Sequence, residues 1–135
     1  MITDYFARQI ASDVFKSSVD STIIPDIFYI GFSTTMPAKD GSGVTEPTAS
    51  DYQRIPVYNQ SSFTKPDEDG YITNEYSIYS AEAKNPWNGI VAIVIFDAEE
   101  DGNLLIANEF TETINLGVKE IFEIPPGGIK LRVNN

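Results

Sequence analysis

Apolar residues fall first at helical spacing along this chain and then at strand spacing. Ile2, Phe6, Ile10 and Val14 recur every four residues, with Tyr5 and Phe15 beside them. One apolar stripe of this kind predicts a helix within residues 1–17. Thr3 suits its N-cap, and Asp4 and Lys16 complement the dipole at its two ends. Ser17 to Thr22 then reads as a loop. Such a stripe either docks on its own core or reaches a neighbouring subunit.

After Pro25-Asp26 the period changes to two. Ile27 to Ser33 is apolar on both faces, which predicts a central, covered strand. Thr34 to Thr48 has two Pro, two Gly and no periodicity, and a loop of this length is often a binding or assembly element. In Tyr52 to Tyr58, Ile55 and Val57 alternate with Arg54 and Pro56. Pro56 lacks an N–H and places this strand at an edge. Asn59 to Gly70 is a second polar loop. Tyr71 to Ser80 alternates as a strand with neither face cleanly polar. Ala81 to Asn88 is a connector. Ile90 to Phe96 is the strongest strand and must be central. Asp97 to Asn103 turns the chain, with Gly102 where a positive φ is needed, and Leu104 to Glu109 returns as the partner. Val118 to Ile124 and Ile129 to Val133 close the fold around Pro125-Pro126-Gly127-Gly128. Ile129, Leu131 and Val133 are expected to face inward, Lys130 and Arg132 outward. The pattern predicts a mainly β fold: a β-sandwich or open barrel of about seven antiparallel strands with one N-terminal helix.

Composition narrows the chemistry. A chain of 135 residues suits one domain, with the helix in 1–17 and the sandwich in 26–135. Cysteine is absent, which excludes disulfides and thiolate metal sites. Histidine is absent too, so serine–histidine and cysteine–histidine catalysis cannot operate on this chain alone. Nine basic residues against twenty acidic ones give a net charge of −11. That balance disfavours nucleic acids and anionic membranes, which are bound by neutralising phosphates. No apolar run approaches the roughly 20 residues of a membrane span. The first ten residues lack the basic and apolar regions of a signal peptide.

Two acidic turns invite a metal or hydrolytic reading. Asp97 to Gly102 partly imitates the start of a calcium loop. It departs at the third position, Glu99, and at the twelfth, Asn108, and strands rather than helices flank it. A hydrated hairpin turn fits better, and the same holds for Asp67-Glu68-Asp69-Gly70. No P-loop and no GxGxxG is present. No catalytic residue, metal or cofactor is therefore expected. Trp87, Tyr52 and Tyr58 are the aromatic candidates for stacking on a glycan.

The order of these features resembles a family of small tailed-bacteriophage virion proteins, the tail-fibre or phage structural proteins. The likeness covers nearly the whole chain. It runs through "IFYIGFSTTMPAKDGSGVTEP", "YQRIPV", "NPWNGIVAIVIFDAEEDGNLLIANEF" and "INLGVKEIFEIPPGGIKLRV". Two places differ from the family pattern. Trp87-Asn88-Gly89 has one residue more than the usual Trp-Gly, and Ser50-Asp51 stands where a Gly-rich stretch is common. The resemblance implies a non-enzymatic virion component of a tail fibre, tail tip, baseplate or connector. It would act as a homo-oligomer among other virion proteins, after synthesis in the host cytoplasm. Head decoration or recognition of a host surface glycan is the alternative. In an assembly role the helix would present Tyr5 and Phe6, and the long loop Lys39, Asp40, Val44 and Glu46.

Overall fold

The computed structural model describes residues 1–15, 25–49 and 51–132. Helix α1 spans Asp4–Phe15. Thr3 caps it as expected: its carbonyl accepts Ala7 N at 3.0 Å, and its Oγ1 accepts Phe6 N at 3.3 Å. The same hydroxyl donates to Leu104 O at 2.7 Å, so the cap also fastens the helix to the sheet. The stripe is buried only at its N-terminal end. Phe6 packs edge-on against Phe28, whereas Val14 and Phe15 are 66% and 79% exposed. Lys16 and the loop read at Ser17 to Thr22 lie outside the described residues.

The main sheet has the order β2-β1-β5-β6 and is antiparallel throughout. Its strands are β1 (Ile27–Ser33), β2 (Ile55–Tyr58), β5 (Trp87–Phe96) and β6 (Leu104–Leu116). Both doubly apolar runs therefore occupy the centre, where both faces are covered. Pro56 sits in the edge strand, where its missing N–H costs no ladder bond. Phe28, Ile30, Phe32, Ile93 and Ile95 point into the larger core with Trp87, Ile90 and Leu105. Val94, Phe96, Leu104 and Ala107 form a smaller cluster, covered by Tyr29, Val44 and Met1. Residues adjacent along β5 thus fall into different clusters, as period two requires.

Two antiparallel ribbons complete the fold. β3 (Ile72–Thr73) pairs β8 (Lys130–Leu131), and β4 (Ile78–Tyr79) pairs β7 (Glu123–Ile124). A short helix, α2 (Asn59–Ser62), follows β2 within the segment read as a polar loop. The fold is mainly β and antiparallel behind an N-terminal helix, with eight described strands, and it does not close into a barrel.

Several boundaries moved for identifiable reasons. The strand expected over Tyr71 to Ser80 is cut in two at Asn74. That side chain is buried and donates to Tyr76 O at 2.8 Å and Pro125 O at 2.9 Å, while its Oδ1 accepts Ile129 N at 2.9 Å. It bends the chain to serve the Pro125–Gly128 turn. The last two strands shrink to two residues each around that turn. Ile129 is buried, Leu131 half-buried, Lys130 and Arg132 exposed, and Val133 lies outside the described residues. β6 runs seven residues past Glu109, because register shifts let Glu109–Ile114 depart from strict alternation and still rejoin β5 at Ile90.

Candidate functional site

The long loop after β1 is a hydrogen-bonded arch. Ser33 Oγ accepts Thr45 N at 3.0 Å and donates to Thr35 O at 2.6 Å, and Thr34 N donates to Thr45 O at 2.8 Å. The "STT" therefore closes the base of the loop on Thr45. At the far end Ala38 N donates to Ser42 O at 2.8 Å, and Gly41 and Gly43 take the positive φ values the tip demands. Lys39 O accepts Asp4 N at 2.9 Å, which docks the tip on the start of α1.

Three segments meet around the Glu46–Arg54 pair. Arg54 grips the carboxylate with two donors, Nε to Oε1 and Nη2 to Oε2, both at 2.9 Å. Tyr52 Oη donates to Oε1 at 2.7 Å and accepts Phe32 N at 3.0 Å. Arg54 Nη1 donates to Ala98 O and Asp101 O at 2.8 Å each, in the β5–β6 turn, and the guanidinium lies 3.6 Å over the Phe96 ring. The clasp joins the arch, the approach to β2 and the β5–β6 turn. Bidentate pairing, stacking and burial together suit arginine and would not suit lysine.

Burial by itself would raise Glu46, but the hydrogen bonds from Arg54 and Tyr52 and the Arg54 charge hold it below the usual glutamate value. Burial, reinforced by the Glu46 carboxylate, pushes the Tyr52 phenol well above the usual tyrosine range. Tyr52 therefore stays protonated and acts as a donor. A polar cleft of about 370 Å³ opens over the clasp, lined also by Gln53, Glu99 and Glu100. The turn beside it is held by Asp97, whose Oδ1 accepts Asn103 N at 2.7 Å, with Gly102 at φ 73°. Among the described residues no group of three carboxylates or imidazoles is placed to hold a metal ion.

The sequence-derived site residues separate on inspection. Phe6 belongs to the core, and Tyr5 packs partly against it. Val44 packs against the smaller cluster and Glu46 is the centre of the clasp, both half-buried. Lys39 and Asp40 are exposed at the arch tip, where Asp40 Oδ1 accepts Ser42 N at 2.9 Å. The aromatic trio does not form one surface. Trp87 is only 1% exposed and packs against Phe32 and Tyr52, which withdraws its faces from any glycan. The Tyr52 hydroxyl is engaged on both sides within the clasp. Only Tyr58, 65% exposed on the edge strand, is open. Arg54 enters the sequence pattern only as alternating with Ile55 and Val57 and is not among the candidate site residues. The signal for its true place was a lone Arg two residues after Tyr52 and eight after Glu46, but strand pairing was needed to interpret it.

Both departures from the family pattern have structural uses. Gly89 takes φ 73° and donates to Asn115 Oδ1 at 2.8 Å, and a register shift between Trp87 and Ile90 absorbs the additional residue. Asp51 accepts Lys84 N at 2.6 Å and ties the approach to β2 to the connector before β5.

No match was found among curated proteins. A family model described as "Podophage GP4 fiber I protein gp80" matches residues 1–132. The TEP, YQR and FDA segments that carry the resemblance are the ones the clasp joins, and the STT segment closes the base of the arch. With nearly every residue inside that match, the chain belongs to this podophage fibre family, whose members are structural components of the phage virion.

Proposed function

We propose that this chain works as a non-enzymatic assembly unit of the tail apparatus, a single folded domain that forms homo-oligomers and binds other virion proteins. The observation that supports this most is the clasp. Glu46, Tyr52 and Arg54 direct their hydrogen bonds to protein groups and fix three loops, which suits a rigid scaffold. The surfaces such a scaffold leaves for self-assembly are the end of α1, with exposed Val14 and Phe15, and the arch tip at Lys39 and Asp40. Symmetric contacts between copies are the usual form for such parts.

The test is sedimentation of the purified chain, with its quantification in purified particles. The wild type should sediment as a concentration-dependent oligomer and be present in virions. Val14→Asp with Phe15→Asp should shift it toward monomer and leave Tm unchanged at dilutions where both proteins are monomeric, since both side chains are already exposed. A wild type that stays monomeric at high concentration and is missing from particles refutes the proposal.

A further inference from the structure

The outward face of the β4–β7 ribbon breaks the pattern of a solvated hairpin. Tyr79 stands opposite Glu123, and the pairing continues through Ser80 N to Phe122 O and Ala83 N to Glu120 O, both at 2.9 Å. Ile78, Ser80 and Ile124 are buried, so their side of the ribbon faces the core. The opposite side should be polar. It carries instead Tyr79, 57% exposed, exposed Ala81, and Ile121, 52% exposed and diagonal to Tyr79 across the ribbon. Tyr79 is also anchored. Its Oη donates to Glu123 Oε2 at 3.1 Å, and Ser77 Oγ donates to the same oxygen at 3.1 Å. An aromatic ring held in place beside an exposed isoleucine is pre-positioned for contact, which lowers the entropy cost of binding.

The charges around this patch indicate its partner. Glu82, Glu120 and Glu123 are exposed around the ribbon against Lys84 and Lys119, and the chain as a whole carries −11. Three carboxylates against two lysines leave this rim at a net −1 on a chain of −11, so a partner of opposite net charge is favoured here over a second copy. We propose that this face docks a different virion protein, one offering an apolar centre rimmed by lysine or arginine. The inference rests on the reading of the chain as a virion assembly unit and adds to it the surface and the chemistry of its neighbour.

The test adds purified chain to phage particles assembled without it and measures uptake. The variants are Ile121→Lys and the milder Ile121→Ser and Tyr79→Ser, each checked for an unchanged melting curve. Each variant should lower uptake about tenfold, the effect of losing a central contact. Wild-type uptake should also fall as NaCl rises from about 50 to about 300 mM, because the rim charges are screened. Normal uptake of the folded variants overturns the inference and leaves the assembly reading standing. So does an Ile121→Lys variant that abolishes self-association, which makes a second copy the occupant. Glycan-array binding that disappears with Tyr79→Ser makes a carbohydrate the occupant and equally overturns it. If wild-type chain is never taken up, the assembly reading itself falls.

Discussion

The missing side chain at position 31 sets how closely the arch can approach the sheet. A Cβ on Gly31 would lie 2.6 Å from Tyr52 Oη and 2.8 Å from Glu46 Oε1, inside any real contact distance. Gly31→Ala should therefore destabilise the fold by about 1–3 kcal/mol in urea titrations, the usual range for overpacking. Adding Tyr52→Phe removes one clashing oxygen, so the double variant should lose less than the sum of the two. Glu46 gives the same clasp a pH dependence. Its carboxyl lies below the ordinary 4.5 when folded, so between the two values the unfolded chain binds more protons. Its contribution is complete above about pH 4.5 and is lost as pH falls through the folded value. Glu46→Gln should be less stable at neutral pH and should lose less further stability on acidification. Equal acid sensitivity in both proteins would show that other carboxylates govern it. Glu46 and Tyr52 stood out in the sequence for separate reasons, as a loop acid and a candidate stacking ring. Their union with Arg54 was not legible, because it depends on which backbone passes beside Gly31.

At the scale of elements, legibility followed the strength and length of the pattern. β1 was readable to the residue, and the β5–β6 hairpin was readable from seven consecutive apolar residues followed by a Gly-containing turn. Where one polar residue served a distant turn, alternation misled. Tyr71 to Ser80 alternates well enough for one strand, yet two of the three Asn74 side-chain hydrogen bonds, to Pro125 O and from Ile129 N, form only with the folded Pro125–Gly128 turn; the third is local, to Tyr76 O. Asn74→Ala would leave Pro125 O and the N–H of buried Ile129 without this partner. Pro125 O keeps its bond from Gly128 N, so the orphan is the Ile129 N–H, and the loss should be about 1–3 kcal/mol, the desolvation penalty of one buried group. Asn74→Asp should not rescue it, because a carboxylate cannot donate to the two carbonyls. If Asn74→Ala melts like the wild type, water has replaced the amide and the break in the strand has another cause. β6, read as ending at Glu109, continues through the polar Thr111-Glu112-Thr113 because β5 holds both ends of that stretch in the sheet.

At the scale of the molecule, two electrostatic effects of opposite sign can be separated. The chain carries −11, and among the described residues the Arg54–Glu46 pair is the one ion pair within 4 Å. Most of its charge is therefore unpaired acid on the surface, which repels itself and favours expansion. The single pair is largely buried, so salt screens it weakly. Raising NaCl from about 10 to about 300 mM shortens the screening length from roughly 30 Å to below 10 Å. The Tm of the isolated chain at pH 7 and low concentration should then rise by a few degrees. Docking through the acidic-rimmed ribbon face should weaken over the same range, because there the charges attract the partner. A Tm that falls with salt would mean that exposed lysines form stabilising pairs in solution. If folding and docking both strengthened with salt, the ribbon contact would be governed by its apolar centre, Tyr79 and Ile121, rather than by its rim.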